Sequence, residues 1–163
     1  MSDTGTTIEI RVVVNGEEYE QSVPVRTTAA DFLRDSLGLR GTRVGCEQGV
    51  CGACTILLDG TSVRSCIMFA AQLDGCSVTT VEGLRGGPDD EMHPIQESFR
   101  RCHGLQCGFC TAGFLMITYE FLSETRSPSE HEVREAVSGN ICRCTGYRGI
   151  VEAIADADRT WER

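Results

Sequence analysis

The spacing of apolar and polar positions changes partway along the chain. In the first half, Thr7-Ile8-Glu9-Ile10-Arg11-Val12-Val13-Val14 is dense in β-branched residues and predicts a strand. Asn15-Gly16 is a two-residue hairpin signal, and residues 19–25 supply the returning strand. A short helix is predicted over 29–37, with Thr28 and Asp31 as its cap and Gly38 as its stop. A second hairpin runs through residues 54–58, the turn Asp59-Gly60 and residues 61–66, and residues 77–81 close the sheet. Residues 82–93 are rich in Gly, Pro and acid, including Asp89-Asp90-Glu91, and predict a linker. Beyond them the pattern turns helical. Pro94 suits a first helical position and opens a helix to about 101, and 114–122 is an apolar stretch suited to a buried helix. Ser129 with Glu132 forms a capping box for a helix ending near Ser138-Gly139, and a last helix covers 150 to about 160. Four short helices predict a compact bundle. The expected class is α+β, divided into residues 1–82, a linker at 83–93, and a helical part at 94–163.

A chain of 163 residues makes one medium domain or two small ones. Only 6% of the residues are aromatic and 18 are glycine, a composition that suits small domains leaning on metal for stability. The formal net charge of −9 argues against nucleic acid as a partner. Met1-Ser2-Asp3-Thr4-Gly5 does not resemble the start of a secretory signal, and no apolar run reaches membrane-spanning length. The expectation is a soluble cytoplasmic protein, with carriage by a twin-arginine-exported partner as the exception.

That placement governs the ten cysteines. In a reducing compartment, grouped cysteines bind metal or do redox work rather than pair as disulfides. Eight of them form two arrays. Cys46-x4-Cys51-x2-Cys54 with Cys66 has the plant-type ferredoxin spacing. Three ligands from one loop must converge on a small core, so the chain has to curl, and Gly45, Gly49 and Gly52 are read as supplying left-handed turns. Such turns aim backbone N–H groups at sulfur. A zinc site of four cysteines is the rival reading, but zinc ribbons bring two short knuckles together rather than three ligands in one Gly-rich loop. A thiol–disulfide motif at Cys51-Gly-Ala-Cys54 lacks the βαβ context it needs.

The second array is Cys107-x2-Cys110 and Cys142-x-Cys144, whose couples bracket two predicted helices. Its spacing says metal without choosing between zinc and iron–sulfur. Cys102-x4-Cys107-x2-Cys110 repeats the plant-type spacing, so arithmetic alone lets Cys102 replace Cys142 or Cys144. Its place at the end of a helical stretch disfavours that, leaving Cys76 and Cys102 as free buried thiols. His93, His103 and His131 sit in polar contexts and are expected to be solvated. Arg100, Arg101, Arg143 and Arg148 are expected at the surface, and Trp161 is uninformative.

Three strings carry a resemblance: Gly45-Cys-Glu-Gln-Gly-Val-Cys-Gly-Ala-Cys-Thr55, Gly104-Leu-Gln-Cys-Gly-Phe-Cys-Thr-Ala-Gly113 and Gly139-Asn-Ile-Cys-Arg-Cys-Thr-Gly-Tyr147. Together, over about residues 7 to 158, they resemble the small iron–sulfur subunit of molybdenum hydroxylases, the xanthine oxidase family. The resemblance implies a plant-ferredoxin-like β-grasp followed by a four-helix bundle, each with one [2Fe–2S] cluster. It assigns Cys46, Cys51, Cys54 and Cys66 to the first cluster and Cys107, Cys110, Cys142 and Cys144 to the second. It further implies a large molybdopterin subunit, with the cofactor as its cytosine dinucleotide, and a medium FAD subunit, in a heterotrimer or a dimer of heterotrimers. Gln106 and Cys144 would contact the pterin. No general acid or base is expected on this chain, whose implied role is to pass electrons from the molybdopterin centre to FAD. The implied substrates of the complex are N-heterocycles, purines, aldehydes or carbon monoxide. A free-standing ferredoxin-type carrier is the alternative. One departure is Ala112, where the family commonly has proline.

Overall fold

In the computed structural model, residues 5–86 and 92–162 are described, and the β-branched run forms strand β1 (Thr7–Val14) as expected. Asn15 and Gly16 take positive φ values of 53° and 86°, the geometry of a tight hairpin turn, and return the chain as β2 (Glu17–Pro24). Strands β3 (Thr55–Leu58) and β4 (Thr61–Arg64) form the second hairpin, and β5 (Ser77–Thr79) follows. The sheet order is β2-β1-β5-β3-β4. β5 therefore lies at the centre, parallel to β1 and antiparallel to β3, and joins the two hairpins. Cys66 does not end a hairpin strand, because the ladder stops at Arg64 and a 3₁₀ turn over Ser65–Ile67 carries the cysteine.

The predicted helix at 29–37 starts where its cap directs: Thr28 Oγ1 accepts from Asp31 N. Only α1 (Ala29–Asp31) is α-helical, and Phe32–Ser36 widens into a π-turn whose end is marked by Leu37 N donating to Phe32 O. The wide turn leaves Phe32 and Leu33 fully buried beneath the sheet, alongside Ile10, Val12, Val14, Ile56, Leu73 and Val78. The π-turn fits the packing demand of those two side chains rather than any local propensity.

Helices α2 (Pro94–Arg101), α3 (Thr111–Glu124), α4 (Glu130–Ala136) and α5 (Arg148–Thr160) form the second half. Ser129 and Glu132 make the reciprocal capping box read from their spacing. Ala112 lies in the first turn of α3, a position alanine fills without strain. Ile95, Phe99, Phe114, Met116, Leu122, Ile150 and Ile154 are the fully buried centre of this half. Complete burial of each such side chain stabilises by about 1.5–3 kcal/mol. Leu57 of β3 belongs to the same core, and Ser62 N donates to Glu120 Oε1 at 2.9 Å, so α3 seats against the β3–β4 hairpin. Of the linker at 83–93, Arg85 and Met92 form a β-bridge; Gly87 to Glu91, with the acidic Asp89-Asp90-Glu91, lie outside the described residues. No described helix is long and apolar enough to cross a membrane.

His93 departs from expectation. It is 5% exposed, and Nδ1 accepts from Ile95 N to cap α2, while its ring packs against Tyr119 and Trp161 at centroid distances of 5.6 and 4.8 Å. Burial lowers its pKa from the ordinary histidine value. Trp161 is thus part of an aromatic group closing the helical half. His103 and His131 are exposed, as expected.

Candidate functional site

The first array wraps as its spacing requires. Glu47, Gly49 and Gly52 take φ values of 54°, 75° and 72°, curling the segment between Cys46 and Cys54. Gly45 is different from the reading above: it has no left-handed φ, and a Cβ there would lie 3.2 Å from both Cys51 Sγ and the Phe109 ring. It provides room rather than a turn. The curl directs Gln48 N and Cys51 N at Cys46 Sγ, each at 3.4 Å. These N–H groups, Cys51 first, lower the Cys46 pKa to about 6, favouring thiolate. Cys54 and Cys66 are 1% and 8% exposed and pack with Ala30 and Val44. Burial, reinforced by the adjacent Cys54 thiol, pushes Cys66 up to about 11.

The second array is brought together by the helices between its couples. Cys107 Sγ and Cys144 Sγ are 3.5 Å apart, and both residues are exposed. Burial, then the neighbouring Cys142 thiol, raises Cys110 to about 12. For Cys142, burial opposes ionisation, but the hydroxyl and backbone N–H of Thr145 outweigh it and the pKa falls. Thr145 Oγ1 lies 3.1 Å from Cys142 Sγ, and Cys142 N donates to Tyr147 Oη at 3.0 Å. Thr145 and Tyr147 lie inside a motif visible in the sequence, but their tasks were not.

The eight thiols thus meet in four couples: Cys46 with Cys51, Cys54 with Cys66, Cys107 with Cys144, and Cys110 with Cys142. A [2Fe–2S] core takes two protein ligands on each iron, so paired, sulfur-only donors fit it. A single zinc ion would instead gather four ligands tetrahedrally about one point. Cys102 stands apart, packed on the helical core with Asp156 and Glu152 of α5 nearby, and burial raises its pKa. Cys76 Sγ faces the carbonyls of Gln72 and Asp74.

The two arrays adjoin. A cavity of about 230 Å³, almost wholly apolar, is lined by Cys46 and Cys51 from one and by Cys107, Phe109, Arg143 and Cys144 from the other. Gln106 is exposed immediately before Cys107. Leu105, Phe109 and Ile141 are exposed large apolar side chains beside the Cys107–Cys144 couple, and Val50, Ile67 and Phe69 are exposed beside Cys51 and Cys66. Arg100, Arg101 and Arg148 are engaged by Glu97, Asp156 and Glu152.

Comparison with known proteins adds a family to this geometry. Residues 12–80 match the 2Fe-2S iron-sulfur cluster binding domain, and residues 80–155 match the [2Fe-2S] binding domain. The chain is 57% identical over 150 residues to the nicotine 6-hydroxylase small subunit of Paenarthrobacter nicotinovorans, covering 92% of this chain and 89% of that one. It is 50% identical over 156 residues to the caffeine dehydrogenase subunit gamma of Pseudomonas sp. (strain CBB1), covering 94% and 92%. Among solved structures, quinoline 2-oxidoreductase from Pseudomonas putida 86 has a chain that superposes with a TM-score of 0.88 at 51% identity, covering 93% of this chain and 94% of that one.

Proposed function

From the premise that this chain belongs to the family of small [2Fe–2S] subunits of molybdenum hydroxylases, we propose that it is the electron-transfer subunit of a complex that hydroxylates an N-heterocycle. The observation that carries this is the gathering of eight cysteine thiols into two adjoining four-sulfur groups. When bound, two [2Fe–2S] clusters supply reversible one-electron capacity between a molybdopterin centre and FAD on partner subunits.

The chain's own residues do the holding and the tuning. Cys46, Cys51, Cys54 and Cys66 would hold the first cluster, and Cys107, Cys110, Cys142 and Cys144 would hold the second. Backbone N–H groups of Gln48 and Cys51 and the hydroxyl of Thr145 stabilise negative charge on sulfur, which favours the reduced state. Cys54, Cys66 and Cys142 are shielded from water, while the exposed Cys107–Cys144 couple and Gln106 face outward. That apolar-rimmed face receives the large subunit, with Gln106 and Cys144 against the pterin in its cytosine dinucleotide form. The face bearing Val50, Ile67 and Phe69 turns towards the FAD subunit, in a heterotrimer or its dimer. The fold, in this reading, is a plant-ferredoxin-like β-grasp over residues 1–82 and a four-helix bundle over 94–163. The compartment is the cytoplasm.

The nicotine and caffeine relatives support an N-heterocycle as substrate, purines included, ahead of aldehydes or carbon monoxide. The test is purification of the native complex. It should contain four irons and four acid-labile sulfides per copy of this chain, show two reduced-cluster EPR signals, and reduce a dye with an N-heterocycle as donor. A colourless, zinc-containing chain eluting alone near 17.8 kDa would end the proposal.

A further inference from the structure

The two cysteine loops meet along a polar seam centred on a residue that the ligand assignment does not use. Arg64, the last residue of β4, is half-buried and two positions from Cys66. Its Nη1 donates to Thr55 Oγ1, beside Cys54. Its Nη2 donates to Gly139 O at 2.8 Å and to Asn140 Oδ1 at 3.0 Å, just before Cys142. Asn140, 1% exposed, completes the link by donating Nδ2 to Gly52 O at 3.4 Å. Gly52 O also accepts from Thr55 Oγ1 at 2.6 Å, and Ile141 N donates to Cys51 O at 2.9 Å.

The seam is tight as well as bonded. A Cβ on Gly139 would lie 2.9 Å from Arg64 Nη2, and one on Gly52 would lie 2.3 Å from Asn140 Oδ1. Every hydrogen-bond partner of Arg64 is neutral, and among the described residues it joins no ion pair. Among the described residues its positive charge is therefore held without an ion-paired carboxylate, within a few residues of both cysteine groups.

We propose that Arg64 is a positioning residue for electron transfer, its planar fork fixing one cysteine loop against the other and its charge raising the reduction potential of both clusters. The inference rests on the reading that the eight cysteines hold two [2Fe–2S] clusters. An arginine fork presents fixed, divergent donors that a flexible ammonium does not reproduce. Reduction adds one negative charge to a cluster, and a nearby fixed cation stabilises that added charge. Arg64 itself exchanges neither electron nor proton.

The experiment is EPR-monitored redox titration of the purified complex carrying Arg64→Gln, Arg64→Lys or the wild-type residue. Arg64→Gln lowers the reduced-to-oxidised ratio of both clusters about tenfold at fixed ambient potential, a shift of about 59 mV for a one-electron couple. Arg64→Lys keeps both potentials near wild type but changes the magnetic splitting between the reduced clusters, because charge remains and the fork is gone. Two intact signals with unmoved potentials and unchanged splitting in both variants overturn the role of Arg64 and leave the cluster assignment standing. A wild-type complex without two cluster signals overturns both. If Arg64→Gln does not assemble, Arg64→Lys decides by itself: unchanged splitting refutes the positioning role.

Discussion

Gly113 gives a prediction in which two effects oppose each other and the structure decides the sign. It lies in the first turn of α3, where replacing glycine by alanine ordinarily gains about 1 kcal/mol of helix propensity. Here the added Cβ would fall 2.1 Å from Gly52 O and 3.0 Å from Asn140 Nδ2. Ordinary contact begins at 3.4 Å, so α3 and the first cysteine loop have to separate by about 1.3 Å. Backbone yields less readily than a side-chain tip, and overpacking of a closed site costs about 1–3 kcal/mol. Separation also stretches the Asn140 Nδ2 to Gly52 O and Ile141 N to Cys51 O hydrogen bonds, each with a net contribution of about 1 kcal/mol. The balance is a destabilisation of about 2 kcal/mol. For a chain of this size that lowers Tm by roughly 4–8 °C. Thermal unfolding of Gly113→Ala beside wild type, followed by far-ultraviolet circular dichroism, reads it directly. A Tm equal to or above wild type would refute the claim that the seam is closed to a methyl group.

Three more predictions rest on separate observations. Thr145→Val removes the hydroxyl 3.1 Å from Cys142 Sγ, so the midpoint potential of the second cluster should fall while the first stays put; equal shifts in both signals would contradict the local assignment. Cys102→Ser should retain both EPR signals, because this thiol packs against α5, and loss of the second signal would restore the rival ligand set that spacing permits. The third concerns acid stability. His93 has a pKa depressed by burial, so the unfolded chain binds a proton more readily than the folded one. Its contribution is complete above the unfolded value of about 6.5 and is lost as pH falls towards the lower folded value. Tm should therefore drop more steeply with acidification in wild type than in His93→Asn, which keeps a capping side chain without titrating; parallel profiles would show that His93 does not govern this range.

Much of the local structure was legible because its causes lie within a few residues. Asn15-Gly16 favours positive φ wherever it occurs, and the hairpin formed there. Pro94 and the Ser129–Glu132 pair mark helix starts through backbone chemistry that travels with them, and α2 and α4 begin accordingly. The loop spacing of the first array likewise carries its own geometry. Misreadings arose where distant segments decide. The predicted helix at 29–37 widened into a π-turn to bury Phe32 and Leu33. His93 and Trp161, sixty-eight positions apart, found each other in the helical half. Gly45 proved to be a close-approach glycine because Phe109 reaches it from the other array.

By itself the sequence showed two cysteine arrays, with Cys102 a permitted rival in the second, a β-rich half followed by a helical half, and motifs that resemble one family across both. Only the tertiary structure decided which sulfurs pair, that β5 joins the two hairpins through the middle of the sheet, and that Arg64 and Asn140 bolt one cysteine loop to the other. The physical reason is range. Turns, caps and ligand spacings act through bonds over a few residues, so their signals are periodic or contiguous. A clamp between Arg64 and Asn140 acts through space over seventy-six positions, and no local pattern reports a hydrogen bond that exists only once both halves are packed.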